Sequence, residues 1–337
     1  MQSKKFLITG GSGFIGTNMI NFLSKKNKII IVDIANPINF NLKKSKNLRF
    51  FLLNICKQER IYKLIKKFKP NFLINFAAES HVDKSIDNPK KFLISNVNGV
   101  LSLLTAVKKY NKFNQNKVKF IQISTDEVYG DIKKGITSKE NDTLSPSSPY
   151  SASKASADLL INAFIRTYNF PAIILRLCNN YGFYQNPEKL IPRIILKILN
   201  NKNIPIYGNG INEREWMFVN DTCKIIYNAM LKCKNGQTYN IGSAINKSNL
   251  EITNLILKIF KKKFSFIKSR SKIKFVKDRP GHDKRYSLNS NKIKRIFRLK
   301  NSNLEKNLIK TCQWYIDNTK WLKKLNNKYE KRIGLNI

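Results

Sequence analysis

The stretch Lys5-Phe6-Leu7-Ile8-Thr9-Gly10-Gly11-Ser12-Gly13-Phe14-Ile15-Gly16 decides how this chain folds. Its opening apolar run lacks polar alternation, the pattern of a strand covered on both faces of a parallel sheet. Glycines at 10, 13 and 16 then lead into an amphipathic segment, Gly16–Lys25. This spacing differs by one residue from G-x-G-x-x-G, but the physics is shared. Glycine permits the tight turn and lets backbone approach a pyrophosphate at the positive end of a helix. A second apolar run ends in Asp33, 17 residues beyond Gly16. A carboxylate there accepts hydrogen bonds from an adenosine ribose and repels a 2′-phosphate. Turn and acid together predict NAD, not NADP, bound around Gly10, Gly13, Phe14, Ile15, Gly16 and Asp33.

The same alternation continues along the first half. Apolar runs at 4–9, 28–33, 48–54, 71–77, 118–124 and 172–177 read as strands, and patterns at 16–25, 57–67, 97–110 and 151–168 read as helices. Such alternation predicts right-handed βαβ units and an α/β fold with a doubly wound, Rossmann-type parallel sheet. Asn54-Ile55 at the end of the third strand is a place for an adenine ring. Phe76, Ala77, Ala78 and Ser80 follow the fourth, where small residues let backbone lie close to a cofactor. From about Asn179 prolines and glycines become frequent (Pro187, Pro192, Pro205, Gly208, Gly210). The expected organisation is a cofactor domain over 1–178 and, over 179–337, a smaller mixed α/β lobe for substrate, interleaved with the sheet.

The 97–110 helix carries one stripe at Val97, Val100, Leu101, Leu104 and Val107 and another at Leu103 and Ala106. Two apolar stripes imply burial beyond one sheet face, by a homodimer contact or a thicker core.

Composition narrows the classes. A chain of 337 residues with 42% hydrophobic residues is long enough for a sizeable core. Its leading apolar run is too short for a signal peptide or membrane span, so a cytoplasmic protein with no membrane partner is expected. Five dispersed cysteines and two histidines form no metal-ligand spacing, so no metal is expected. The net charge of +42 comes from 51 lysines and 12 arginines spread over the whole chain. Nucleic-acid reading favours arginine forks, so this excess predicts no specific nucleic-acid partner. It suits an anionic substrate.

Tyr150-Ser151-Ala152-Ser153-Lys154 places a phenol and an ammonium four residues apart on one helical face. A nearby ammonium and a positive nicotinamide would lower the phenol pKa and make Tyr150 a base, with Lys154 beside it. Ser124-Thr125-Asp126-Glu127-Val128-Tyr129-Gly130 closes the fifth strand. Thr125 can bind a sugar hydroxyl next to Tyr150. Asp126 and Glu127 are adjacent acids at the mouth of the sheet, in a chain with 21 acids against 63 bases.

The glycine turn, the Tyr-Lys pair and the strand order resemble the extended short-chain dehydrogenase/reductase family. Within it, the chain is similar to the nucleotide-sugar 4,6-dehydratases that act on dTDP-glucose. The resemblance rests on 77–86 (Ala77-Ala78-Glu79-Ser80-His81-Val82-Asp83-Lys84-Ser85-Ile86), Ser124–Gly130, 147–154, Asn179-Asn180-Tyr181-Gly182, 187–192, 278–286 and Trp314-Tyr315 to Trp321. It covers nearly the whole chain.

It implies a cycle in which the hexose is oxidised at C4, loses water across C5 and C6, and receives the same hydride at C6. Tyr150 would take the O4 proton, Glu127 the C5 proton, and Asp126 would protonate the departing hydroxyl. The resemblance also adds Ser95 and Asn180 to the NAD site. It places Ser80, Thr125, Asn179, Lys189, Leu190, Pro205, Ile206, Tyr207, Arg214, Asn249, Asp278, Arg279, Pro280, Gly281 and His282 around the nucleotide sugar. Arg214 and Arg279 suit diphosphate oxygens chemically.

The chain departs from the family pattern at Ile34-Ala35-Asn36-Pro37, at Asn54 and Glu215 (Asp is usual at both) and at Phe183 (usually Pro). A UDP- or CDP-glucose dehydratase, a UDP-glucose 4-epimerase and a basic nucleic-acid-binding protein on a non-catalytic fold remain alternatives. Asp126-Glu127 argues against the epimerase, and the intact Tyr150 and Lys154 argue against the last.

Overall fold

The computed structural model describes residues 3–24, 26–36, 46–298 and 303–326. Lys25 and Pro37, which figure in the sequence reading, lie outside them. Strands β1 (Lys5–Thr9), β2 (Lys28–Asp33), β3 (Leu48–Leu52), β4 (Phe72–Asn75), β5 (Lys119–Thr125) and β6 (Ala172–Leu177) pair in parallel. Short strands β7 (Asn179–Tyr181), β8 (Ile204–Tyr207) and β9 (Glu213–Phe218) follow, and then β10 (Gln237–Ile241) returns to pair with β6. The seven-stranded order is β10-β6-β5-β4-β1-β2-β3. This is the doubly wound sheet expected, and the order reverses between β1 and β4. β11 (Asn246–Ser248) joins β9 and β7 in a second sheet, and β12 (Ile273–Val276) pairs with β8.

The helices are α1 (Phe14–Leu23), α2 (Gln58–Phe68), α3 (Val82–Asp87), α4 (Pro89–Phe92), α5 (Gly99–Lys112), α6 (Pro149–Tyr168), α7 (Leu190–Leu199), α8 (Val219–Lys232), α9 (Asn249–Lys263), α10 (Asn291–Lys294), α11 (Leu304–Asp317) and α12 (Thr319–Asn326). None among the described residues is long and apolar enough to cross a membrane.

Side-chain alternation builds the layers. Phe6 and Ile8 of β1 face Met19, Ile20 and Leu23 of α1 and the α8 residues Ile226 and Ala229. Leu7 between them faces the opposite side, with Ile61 of α2, Leu103 and Val107 of α5 and Ile161 of α6. Each such side chain contributes about 1.5–3 kcal/mol relative to exposure. A third cluster (Ile194, Ile206, Trp216, Ile256, Tyr315) forms the core of the other lobe.

Several element ends differ from the sequence reading by one or two residues, among them the starts of α1 at Phe14 and α6 at Pro149. β3 stops at Leu52 and β4 at Asn75, short of 54 and 77. The residues beyond leave the ladder to line the sheet's carboxyl edge. The 97–110 segment opens in a π-helical turn at Leu93–Asn98, and α5 starts at Gly99. Within α5 each residue turns by about 100°, which carries Leu101 off the face that holds Val100, Leu104 and Val107. Val100, Leu103, Leu104, Ala106 and Val107 are buried, and Leu101 is 42% exposed instead of joining a stripe.

Helix α6, which carries Tyr150, is fixed at its start. The Ser148 side chain accepts from Ser151 N (3.1 Å), Ser151 Oγ accepts from Ser148 N (3.0 Å), and Pro149 stands at the first helical position. Such a cap stabilises by about 1 kcal/mol. It also sets where the next residue, Tyr150, leaves the helix.

Candidate active site

The reversal between β1 and β4 opens a crevice at the carboxyl ends of the strands, where ligands bind in open α/β sheets. The glycine turn enters it. Gly10 has φ +68°, and a Cβ there would lie 2.4 Å from Ala77 N; a Cβ on Gly16 would lie 2.3 Å from Gly10 O. Both contacts are with backbone, so the turn tolerates no side chain at these positions. Gly13 caps α1 with no side-chain bond, leaving its first N–H groups directed at the crevice. Asp33 sits at the end of β2; its oxygens accept from Ser12 N (2.8 Å) and Ala35 N (3.0 Å), and burial raises its pKa. A turn closed to side chains, a free helix N-terminus and an acid at the second strand fit a dinucleotide chemically.

Three cavities run together here. One of about 410 Å³ is lined by Gly10, Gly13 and Asp33, by Asn54 and Ile55, by Phe76, Ala77 and Ala78, and by Ser95. A second of about 350 Å³ shares the glycine turn, adding Phe14, Ile15 and Gly16, and continues along Ser80, Thr125, Asp126, Glu127, Tyr150, Lys154 and Asn180. The third, about 190 Å³, is lined by Glu127, Asn179, Lys189 and Leu190, by Pro205, Ile206 and Tyr207, and by Arg214, Asn249, Arg279 and His282. Glu127, Asn179 and Lys189 border both of the last two.

Asp278, Pro280 and Gly281 stand behind that wall instead of on it. Asp278 Oδ1 pairs with His282 Nδ1 (2.6 Å), and Gly281 turns the chain with φ +60°. Burial, then the Arg279 charge, lowers the His282 pKa to about 4, against the pull of Asp278.

The acids sit in a 3₁₀ turn, Asp126–Tyr129, that continues from β5. Thr125 Oγ1 accepts from Glu127 N (3.2 Å) and lies 3.2 Å from Asp126 Oδ1. The turn is anchored behind: Arg176 Nη1 donates to Tyr129 OH (2.7 Å), Tyr129 OH to Asn240 Oδ1 (2.8 Å), and Arg176 Nε to Asp158 (2.9 Å). Burial, followed by the charges of Glu127 and Glu215, pushes the Asp126 pKa well up, with Arg214 opposing. Burial also raises Glu127, but Arg279, Arg214 and Lys189 pull it back. Unequal cation shares thus separate two sequence neighbours.

Tyr150 is 8% exposed and meets the Phe92 ring edge-on. Its pKa departs from the sequence expectation. Burial, then the Glu127 charge, raises it, and the hydrogen bond with Thr125 lowers it. The Lys154 ammonium donates to Ile123 O (2.7 Å), and burial lowers its pKa to about 8, with Asp158 opposing. In this protein alone the phenol is neutral, because desolvation outweighs every nearby charge.

Sequence reasoning missed part of the third cavity. His81, Asp83, Glu188, Arg193, Trp216 and Tyr286 line it as well. Glu188 accepts from Lys84 Nζ (3.0 Å), and Asp83 accepts from Tyr207 OH (3.0 Å) and meets Arg279 Nη1 (3.3 Å). Burial and the surrounding lysines lower the His81 pKa to about 2. Most of these residues lie inside the stretches 77–86, 187–192 and 278–286, so the signal was present but did not single them out.

A Rossmann sheet whose crevice joins a Tyr-Lys helix to a cationic third cavity defines an enzyme of the extended short-chain dehydrogenase/reductase class. Residues 7–311 match the family described as GDP-mannose 4,6 dehydratase, and the chain belongs to this family of nucleotide-sugar 4,6-dehydratases. A dTDP-glucose 4,6-dehydratase of Salmonella typhimurium is 38% identical, over 94% of each chain. Two solved structures share the fold throughout. The dTDP-glucose 4,6-dehydratase of Bacillus anthracis in complex with NAD superposes with a TM-score of 0.86 at 37% identity, covering 96% of this chain and 100% of that one. The Streptomyces venezuelae enzyme of the same name, with NAD and TYD bound, gives 0.87 at 34% identity, covering 95% and 99%.

Proposed function

We propose that this protein dehydrates dTDP-glucose to dTDP-4-dehydro-6-deoxy-glucose, using NAD that is regenerated in each turnover. The observation that carries the reading is the adjacent Asp126-Glu127 pair, Asp126 buried and Glu127 half-buried, beside Tyr150 and Thr125 in a cavity continuous with the glycine turn. Residues 1–178 would hold chiefly the cofactor, and the lobe from 179 onward chiefly the nucleotide sugar. NAD, when bound, supplies the hydride acceptor for C4 and the donor for C6.

The chain's own groups move protons. Tyr150 accepts the O4 proton as C4 becomes a ketone, with Thr125 holding the hydroxyl. The ketone acidifies C5–H. Glu127 takes the C5 proton, the C5–C6 double bond forms, the C6–O6 bond breaks, and Asp126 gives its proton to O6 so that water leaves. Glu127 later returns its proton to C5. Arg214, Arg279 and Lys189 supply positive charge for the diphosphate.

An epimerase needs no elimination, and so no buried acid pair. A cytoplasmic location, without a membrane or a specific nucleic-acid partner, belongs to this reading. Incubation with dTDP-, UDP- and CDP-glucose, with mass analysis of the sugar, tests it. The expected outcome is loss of one water from the dTDP substrate foremost. A C4 epimer with no loss of mass would replace the reading with the epimerase.

We also infer a homodimer. Leu93 (51% exposed), Ile94 and Leu101 on the segment around α5 and Leu159 on the neighbouring α6 leave apolar surface uncovered. Burial of such a patch favours association. Sedimentation equilibrium at micromolar concentration should give twice the chain mass; a monomer would remove this part.

A further inference from the structure

Residues 80–84 lead from the carboxyl edge of the sheet into α3 and face two ways. Toward the cofactor domain, Val82 packs with Phe92 and the Tyr150 ring. Toward the substrate lobe, three residues of the segment make polar contacts. Asp83 Oδ2 accepts from Tyr207 OH (3.0 Å), and Asp83 Oδ1 meets Arg279 Nη1 (3.3 Å). Lys84 Nζ donates to Glu188 Oε2 (3.0 Å), and Lys189 Nζ donates to Ser80 O (2.8 Å). Tyr207 and Arg279 arrive together because β8 and β12 are paired as far as Tyr207 and Val276. Asp83 is remote from both in sequence, and it is 5% exposed.

Two of the three cations proposed for the diphosphate, Lys189 and Arg279, are thus held from the cofactor side. Arg214 is held within its own lobe, where it donates to the carbonyls of Glu213 and Asp283. Arg279 is the least supported of the three. Among the described residues Asp83 is the one hydrogen-bond partner of its guanidinium, and its Nε is buried without any. A guanidinium carries five N–H donors in a rigid fork. Tethering Nη1 restricts how the remaining donors can point, and those donors suit phosphate oxygens. An arginine side chain loses much rotamer freedom on binding, so a guanidinium ordered beforehand binds an anion more tightly.

We infer that Asp83 is a positioning residue for the nucleotide sugar, which presets the Arg279 guanidinium for the diphosphate from the cofactor side of the crevice. An acid beside an anion site could also act in the opposite sense, repelling the diphosphate or competing for Arg279. The contacts favour positioning: Asp83 takes a single nitrogen of the fork, and its second oxygen is occupied by Tyr207.

The inference rests on the dehydratase reading. Its test is calorimetric binding of dTDP to the NAD-loaded protein, with steady-state kinetics, in Asp83→Asn, Arg279→Met and the double variant. Asp83→Asn keeps the side-chain size and removes the charge. It should raise the Kd for dTDP and the KM for dTDP-glucose about 10-fold, the loss expected for one hydrogen bond to a charged group. NAD affinity should not change, and kcat should stay within about threefold, as for an interaction made equally before and during reaction. In the Arg279→Met background the same change should cost nothing or should tighten dTDP, because Asp83 there is an unpaired carboxylate beside an anion. A merely structural role would weaken dTDP binding by the same factor in both backgrounds, and that result overturns the inference. Unchanged or tighter dTDP binding in Asp83→Asn alone overturns it too, in favour of a competing acid. Should Asp83→Asn not fold, Tyr207→Phe takes its place: deleting the hydroxyl that holds Asp83 should weaken dTDP binding only where Arg279 is present, and an equal effect in both backgrounds overturns the inference. Failure of the wild type to bind dTDP, or to dehydrate any nucleotide sugar, would instead remove the reading beneath it.

Discussion

Tyr150→Phe lowers turnover by about 10²–10⁴, the usual worth of a positioned base, and leaves the protein folded. The substitution deletes one oxygen from a ring that is already 8% exposed and packed edge-on against Phe92. Packing is retained, so the effect lies in chemistry. Lys154 does not replace Tyr150 as acceptor of the O4 proton, because its ammonium, which donates to Ile123 O, has no lone pair to offer. The loss must therefore appear in the first step, and single-turnover mixing should show NADH formation slowed by the same factor. Since burial holds the phenol neutral in the protein alone, its deprotonation belongs to the complex, where the nicotinamide charge lies close. Near-wild-type turnover of the variant would refute the assignment of Tyr150 as base.

Asp126→Asn and Glu127→Gln should both stop product formation but at different points. Asparagine has no proton to give, so Asp126→Asn should oxidise C4, accumulate NADH and stall with O6 still attached. Glutamine cannot accept the C5 proton, so Glu127→Gln should also form NADH yet fail to exchange the C5 hydrogen with deuterated solvent. Each loss should reach about 10²–10⁴. The distinction follows from what surrounds each group: Arg279, Arg214 and Lys189 favour the charge on Glu127, while burial and two neighbouring carboxylates disfavour it on Asp126. Mass analysis of sugar recovered from deuterated buffer reads both outcomes. C5 exchange at the wild-type rate in Glu127→Gln, or normal dehydration by Asp126→Asn, would reverse the roles. Absence of NADH in both would make the pair a substrate-positioning device.

The glycine turn, Asp33, the Tyr-Lys pair and the acid pair were all legible because each is a local pattern. A turn between an apolar run and an amphipathic segment, or two residues four apart at a helix start, needs no distant partner to be recognised. The strand runs were legible for the same reason, since burial on both faces removes polar residues from consecutive positions. Their ends were less so: β3 and β4 stop two residues early because the chain there leaves the ladder for the crevice, and hydrophobicity does not mark that exit. The exposure of Leu101 was missed because an apolar residue one position from Val100 on α5 points off the buried face, and hydrophobicity alone does not show it.

By itself, then, the sequence determined the sheet, its winding and the identity of the groups at its carboxyl edge, all consequences of short-range periodicity and steric rules. Only the tertiary structure decided their ionisation. It raised Tyr150 where the adjacent Lys154 suggested the reverse, because a pKa responds to desolvation and to every charge within reach, whatever its place in the chain. It brought His81, Glu188 and Tyr286 to one cavity from three distant stretches. And it gave Glu215, which in sequence is only a conservative departure, backbone donors from two distant stretches on both its oxygens. Proximity across the fold is a property of packing, and packing joins residues that sequence separation holds apart.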